Sequence, residues 1–167
     1  MRIAFGYKAR SGKDTASDYL IQKYGGCKLS FAGSIYKIAC KAQKIACFPQ
    51  EKDRELLQFL GSWGRKRDPD TWINIVKESI LLNSTYNNIF ISDVRFNNEF
   101  DMLKKQDFLL VKIVRREIES DAGSHPSEVE LDSVEDDKWD AVIYNNGNIE
   151  DFYKKLDLMT KNFNTHM

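Results

Sequence analysis

The first fifteen residues constrain this chain more than any other stretch. An apolar run, Ile3-Ala4-Phe5, leads into a glycine- and cation-rich turn, Gly6-Tyr7-Lys8-Ala9-Arg10-Ser11-Gly12-Lys13-Asp14-Thr15, and a helical pattern follows at once. A strand, a Gly-rich turn and a Gly-Lys pair opening a helix build a phosphate cradle. Turn N–H groups point inward, the helix N-terminus adds partial positive charge, and the lysine reaches the outer phosphates. Lys13 is read as that lysine and Thr15 as the hydroxyl beside phosphate or magnesium, with Arg10, Ser11, Gly12 and Asp14 completing the cradle. The spacing is irregular: the standard pattern places four residues between the first glycine and Gly-Lys, whereas Gly6 to Gly12 encloses five. Tyr7 stands at the expected glycine position, and Asp14 where Ser or Thr usually follows the lysine. The competing reading is an ordinary turn capped by a helix; strand before and helix after favour the cradle.

Downstream, Ala16, Tyr19, Leu20 and Tyr24 recur at helical spacing until Gly25-Gly26 stops the helix. Cys27–Phe31 reads as a second strand, and Ala32-Gly33-Ser34 turns into a helix carrying Ile35, Ile38, Ala39, Ala42 and Ala46 on one side. This is the rhythm of a parallel sheet. Residues 51–84 depart from it, being almost wholly helical in pattern, with a break expected at Gly61-Ser62-Trp63-Gly64-Arg65-Lys66-Arg67. Leu56, Leu57 and Leu60 make one apolar stripe; Asp68 is expected to cap the next helix with Pro69 in its first turn, and Trp72, Ile73, Val76, Ile80 and Leu81 to line its inner face. Two helices here suggest an inserted substrate-binding arm rather than a second domain.

Asn88–Ser92 is the third strand, followed by Asp93-Val94-Arg95-Phe96; a helix around Asn98–Lys105 leads to a fourth strand, Phe108–Val114. Trp139–Tyr144 is the fifth, and Asn145-Asn146-Gly147 turns into a closing helix with Ile149, Phe152, Tyr153, Leu156 and Phe163 on its buried side. Uninterrupted apolar strands suit a sheet covered on both faces. The expected architecture is a three-layer α/β/α fold around a five-stranded parallel sheet, one domain over residues 1–167, with a helical arm at about 33–84 and a short lid at about 116–138. The lid reading concerns residues 117–140, which hold ten Asp or Glu and one Lys. A solvated loop is the bland alternative, and Arg115-Arg116 with Ser124-His125-Pro126-Ser127-Glu128 favour a flap that excludes water. His125 has no partners at metal-ligand spacing and is read as helping to hold that flap.

Lys plus Arg and Asp plus Glu both number 25, so the formal net charge is zero. A polymeric nucleic-acid partner usually leaves a basic excess; a nucleotide does not require one. No apolar run approaches the ~20 residues of a membrane span, and the start is too soon interrupted to read as a signal peptide. Cys27, Cys40 and Cys47 are expected to be reduced thiols of a cytoplasmic protein.

In an open parallel sheet, ligands sit beyond the carboxyl ends of the strands. Lys13, Asp93, Arg95, Arg115 and Arg116 all fall there. That set suits phosphoryl transfer, which needs in-line placement and cations around developing negative charge. Asp93 is the leading magnesium carboxylate, partly through water, or else a turn cap; Arg95 grips an acceptor phosphate or pairs with Asp93. Arg65 and Arg67 bind acceptor phosphate or lie on the surface. Trp63 and Trp72 stack on a base or, for Trp72 above all, fill core. Lys37 and Glu128 complete the acceptor set.

With these residues assembled, the chain resembles the deoxynucleoside monophosphate kinases of tailed phages and large DNA viruses. The resemblance runs through Lys8–Thr15, Phe31-Ala32, Leu57–Gly61 to Arg65 and Trp72, Ser92–Glu99, His125–Glu128 and Ile143–Gly147, in order across nearly the whole chain. It implies a P-loop kinase fold that uses ATP and magnesium to convert a dNMP to a dNDP, in the cytoplasm (the host's, if viral), with a homodimer open. Animal-type phosphomevalonate kinases resemble some of the same segments, through Lys8–Asp14, Trp63-Gly64, Asp68-Pro69 and Ser127-Glu128. Asp93-Val94-Arg95-Phe96 with Asn98-Glu99 reads more like the nucleotide kinases. A nucleotide-binding regulatory P-loop protein is the third reading, and the arginine-rich arm argues against it.

Overall fold

The strand and helix alternation is realised in a computed structural model that describes residues 1–116 and 126–165. In chain order the elements are β1 (Arg2–Gly6), α1 (Lys13–Tyr24), β2 (Cys27–Leu29), α2 (Ala32–Ile45), α3 (Arg54–Arg67), α4 (Thr71–Leu82), β3 (Ile89–Val94), α5 (Asn97–Lys105), β4 (Leu109–Val114), the short α6 (Pro126–Val129), β5 (Ala141–Tyr144) and α7 (Ile149–Thr165). Single 3-10 turns at Glu130–Ser133 and Asp136–Lys138 lie between α6 and β5. The sheet has five strands in the order β2-β3-β1-β4-β5, and β1 pairs in parallel with both β3 and β4. The chain packs as two compact units, Met1–Lys28 with Tyr86–Met167, and Leu29–Thr85.

In the first unit the sheet is covered on both faces, as its apolar strands require. Ile3 and Phe5 of β1 share one face with Phe90, Val111, Ile113 and Ile143, packed by Ala16 and Leu20 of α1 and by Phe152, Leu156 and Met159 of α7. Ala4 points to the other side, and α5 lies against β4 with Phe100, Met102 and Leu103 buried. Because α1 carries the chain from β1 to β2 on one side of the sheet and α5 carries it from β3 past β1 to β4 on the other, the crevice beyond β1 is the switch point at which such sheets bind ligands. Strand limits differ modestly from expectation. Continued parallel pairing carries β3 on through Asp93 and Val94. β5 begins at Ala141, since Trp139 leaves the ladder to set its ring edge-on against Phe100, with centroids 4.9 Å apart. Ile149, expected on the buried side of α7, is exposed in its first turn.

The helical unit corrects the sequence reading more. No break interrupts α3, which runs unbroken from Arg54 to Arg67, its first turn capped by Asp53, whose carboxylate accepts the Leu56 N–H at 2.9 Å. Trp72 of α4 packs against the bare backbone of Gly64, and Arg65 and Ile35 take the space beside Gly61. A Cβ on Gly64 would come within 2.5 Å of the indole, whose N–H donates to the Gly61 carbonyl at 3.0 Å. These glycines are packing positions, not helix breakers. Asp68 does not cap α4 either. Its carboxylate accepts the Asp70 N–H at 2.9 Å in a local turn, and α4 starts at Thr71, beyond Pro69. Trp72, Ile73, Val76 and Ile80 are buried as expected, whereas Leu81 is exposed. On α2 the buried positions are Ile35, Ala39 and Gln43, one helical step of four apart; Ile38, Ala42 and Ala46 face outward. Gln43 is tolerated there because its amide donates to the Glu51 carbonyl at 3.1 Å.

The tight Gly64–Trp72 approach has a measurable consequence. Gly64→Ala, although it raises intrinsic helix propensity, is expected to destabilise the protein by about 1–3 kcal/mol through overpacking. A urea titration showing a lower midpoint at unchanged slope would carry the point; a variant as stable as the parent would refute it.

Candidate active site

The turn after β1 is built from three residues with left-handed backbone: Tyr7 at φ 96°, Arg10 at φ 59° and Gly12 at φ 107°. Gly6 serves another purpose, because a Cβ there would lie 2.6 Å from the Trp139 ring; it makes room for that indole. Tyr7 therefore occupies the first position of the loop in conformation as well as in count, and the irregular spacing resolves: Lys8, Ala9, Arg10 and Ser11 are the four residues before Gly12-Lys13. A bulky residue at such a φ costs on the order of 1–3 kcal/mol, and the Tyr7 N–H donates to the Val94 carbonyl at 3.3 Å. At the far end, Gly12 has no room for a side chain, because a Cβ would meet the Asn145 amide at 2.6 Å. That amide donates to the Ser11 carbonyl at 2.9 Å.

Lys13 opens α1 and is buried. Its ammonium is folded back onto the loop, donating to the Lys8 carbonyl and to Ser11 Oγ, the latter at 3.3 Å. Burial and the Arg95 guanidinium lower its pKa to about 8, while Glu128, Asp93 and Asp14 pull the other way. Asp14 accepts the Ser92 hydroxyl at 2.8 Å and pairs with Lys28 at 2.8 Å. Burial opposes its ionisation, but the bonds from Lys28 and Ser92 hold the carboxyl below the usual range.

Glu128 ties this loop to the strand-three end. It is buried; one carboxylate oxygen accepts the Ala9 N–H at 2.9 Å and the other takes the Arg95 guanidinium. Glu128 is a partner for Arg95 that the sequence reading did not name. The backbone N–H groups of Arg95 and Phe96 donate to Glu99 at 2.8 and 3.2 Å, and the Asn97 N–H donates to Glu130 at 2.9 Å. The described part of the acidic segment is thus an ordered carboxylate frame; His125 and residues 117–124 lie outside the described residues.

Lys13, Asp14, Asp93, Arg95 and Glu128 are therefore brought together. Thr15 is half-buried on α1, Arg10 is exposed in the loop, and Arg115 and Arg116 are exposed at the end of β4, where Arg116 sets its guanidinium 5.4 Å from the Tyr144 ring centre. In the helical unit, Lys37 is exposed on α2, and Arg65 lies over the bare backbone of Gly61. Trp63 is exposed with Arg67 5.7 Å from its ring centre, and Trp72 takes the core placement. Ser92, Glu99, Glu130 and Asn145 bond within this cluster and receive no site role from sequence reasoning, although Ser92, Glu99 and Asn145 lie in segments that carry the family resemblance. Asn145 also stands directly after an apolar strand, whereas Glu130 gives no signal beyond acidity.

A five-stranded α/β sheet with a lysine-bearing loop at its switch point, flanked by arginines and carboxylates, defines a P-loop phosphotransferase of the kinase class. The fold is that of dephospho-CoA kinase from Campylobacter jejuni, at TM-score 0.56 with 15% identity over 100% of both chains, and of a candidate kinase from Chloroflexus aurantiacus, at TM-score 0.52 and 11% identity over 99% of this chain and 98% of that one. Residues 53–156 match the family model for deoxynucleotide monophosphate kinase, and the chain belongs to that family. It is 34% identical to a candidate deoxynucleotide monophosphate kinase of Acanthamoeba polyphaga mimivirus over 87% of this chain and 89% of the other. It is also 37% identical to the uncharacterised ORF77 of Ictalurid herpesvirus 1 over 80% of this chain and 60% of that protein. Of the two kinase resemblances in the sequence, the nucleotide one holds. No helix among the described residues is long and apolar enough to cross a membrane.

The depressed Lys13 pKa sets a pH dependence. Between about 8 and the ordinary lysine value of 10.5 the unfolded chain binds more protons than the folded one, so stability rises with pH across that window and the full charging cost is present below it. That cost is on the order of 3 kcal/mol. Lys13→Met is accordingly expected to be more stable than the parent at neutral pH by about 1–3 kcal/mol, with the advantage shrinking as pH rises through the window. Urea midpoints across the pH range decide it; a less stable variant at neutral pH would show that the hydrogen bonds of Lys13 outweigh its desolvation.

Proposed function

We propose that the chain transfers the γ-phosphate of ATP to a deoxynucleoside monophosphate, with magnesium, using Lys13 and the loop before it to hold the donor phosphates. The observation that carries this reading is Lys13 itself, a buried ammonium of lowered pKa folded onto its own loop carbonyl and ringed by Arg95, Glu128, Asp93 and Asp14. A cation held there in such poor solvation gains strongly from an entering polyanion.

In the proposed reaction a phosphate oxygen of the acceptor attacks the γ-phosphorus in line. A new P–O bond forms as the bond to the ADP oxygen breaks, the electron pair leaving with ADP; the attacking oxygen is already anionic, so no general base is required. Lys13 turns from the Lys8 carbonyl to the donor phosphates, Arg10, Ser11, Gly12 and Asp14 shape the cradle, and the charge on the transferring group falls to Lys13, Arg95, Arg115 and Arg116. The carboxylate set suits magnesium, which is held by one or two carboxylates together with substrate phosphate: Asp93, which faces Lys13 closely enough to affect its charge, and the Thr15 hydroxyl would hold it. Magnesium would supply charge neutralisation on the phosphates when bound. The single domain carries a helical acceptor arm at about 33–84 and a lid at about 116–138. Within the arm, Arg65 and Arg67 are assigned to the acceptor phosphate and Trp63 to its base, with Lys37 and Trp72 in support; Glu128 and Asp93 orient the acceptor through Arg95. The reading includes a cytoplasmic location and no nucleic-acid polymer or membrane partner; sedimentation distinguishes monomer from homodimer.

A coupled ADP-release screen with ATP against dNMPs, NMPs and phosphomevalonate tests the proposal. Turnover of about 1–100 per second with one or more dNMPs is expected. Turnover with phosphomevalonate alone, or ADP release needing no acceptor, would overturn it. Lys13→Ala should lower kcat by about a hundredfold or more in a folded protein. Arg65→Ala should raise the acceptor KM about tenfold and leave the ATP KM in place; an unchanged acceptor KM would return Arg65 to the surface.

A further inference from the structure

Tyr7 is the feature that neither the fold nor the proposed chemistry uses. It holds the left-handed conformation at φ 96° that opens the phosphate loop, a conformation available to glycine at little cost and disfavoured for a tyrosine. Its ring, however, is gripped. The Lys112 ammonium from β4 lies 4.3 Å from the ring centre and Lys8 lies 5.2 Å from it. Both lysines are held in turn by the acidic segment: Lys112 pairs with Asp136 at 2.8 Å and Lys8 with Asp132 at 3.2 Å. Asp132 also receives the Tyr7 hydroxyl, and burial together with that bond keeps the phenol above its usual range. Lys112 is itself buried and stands beside Gly6 in the β1–β4 ladder. A buried cation over an aromatic face is among the stronger forms of that contact.

We propose that Tyr7 is a positioning residue for the donor phosphates: its ring, clasped between Lys112 and Lys8, holds the loop's first residue left-handed where glycine freedom would otherwise be needed, and couples the loop to Asp132 and Asp136. The clasp fixes the direction of the N–H groups that follow it, including that of Ala9 held by Glu128. It rests on the reading of residues 7–13 as the donor loop, which the parent enzyme's turnover with ATP tests separately. Tyr7 touches neither phosphate nor acceptor in this scheme. Its effect falls on the apparent affinity for ATP, by reducing the loop ordering that donor binding must otherwise supply.

The experiment compares Tyr7→Phe, Tyr7→Ala, Lys112→Met and the Tyr7→Ala/Lys112→Met double variant, each checked for folding by thermal melt and assayed by coupled ADP release. Tyr7→Phe keeps the ring and should hold the ATP KM within about threefold of the parent, while Tyr7→Ala should raise it about tenfold, the dNMP KM staying within about twofold. Lys112→Met should raise the ATP KM in the parent background and add nothing once Tyr7 is Ala, the mark of a shared interaction. A Tyr7→Ala enzyme with the parent's ATP KM, or a Tyr7→Phe enzyme as impaired as Tyr7→Ala, would overturn the proposal. Should Tyr7→Ala not fold, an unchanged ATP KM in Lys112→Met overturns it and a raised one, with the dNMP KM unmoved, upholds it.

Discussion

The site depends on the buried carboxylate of Glu128. A buried carboxylate without partners would be severely destabilising, and Glu128 avoids this by accepting from the Ala9 N–H and from the Arg95 guanidinium. The same two bonds fix the phosphate loop and the end of β3 to one another. Glu99 and Glu130 repeat the device one turn further on, accepting the backbone N–H groups of Arg95, Phe96 and Asn97. Two carboxylates therefore hold the backbone from which Arg95 projects, and a third holds its guanidinium. The negative charge of Glu128, with that of Asp93 and Asp14, also offsets part of the cost of a buried Lys13 beside Arg95.

The loop illustrates how one chain can meet a backbone requirement by unusual means. Gly12 meets it conventionally, with left-handed φ and no space for a side chain beside Asn145. Tyr7 meets it with a side chain, and Gly6, which on spacing alone passes for the loop's first glycine, is needed only because the Trp139 ring covers it. Trp72 plays a comparable part in the helical unit, where it covers Gly64 and ties α4 to α3 through the Gly61 carbonyl. In both places a glycine marks a neighbour's indole rather than a bend in the chain.

Much of this was legible in advance. The five strands were recognisable because buried parallel strands are continuous apolar runs, and the phosphate loop because its strand, turn and helix are contiguous. Lys13, Asp93 and Arg95 could be singled out because strand ends in such sheets collect ligand-binding residues. The errors have a common origin. Gly61 and Gly64 suggested a broken helix, since propensity carries no information about an indole eight or eleven residues away. Ile38, Ala42 and Leu81 read as inward because an apolar residue is admissible on either side of a helix, and the buried place of Gln43 goes unread because its carbonyl partner at Glu51 is invisible in a linear pattern.

The sequence by itself determined the class of fold, the place of the loop that bears Lys13 and the family to which the chain belongs, because each rests on short, contiguous patterns of residue type. Tertiary structure alone decided what those residues hold. Arg95 meets Glu128 from thirty-three positions away, Asn145 reaches Ser11 across the sheet, and Lys112 comes to the ring of Tyr7. Such pairings depend on which strand ends become neighbours, and charge or polarity along a chain does not encode distance in space.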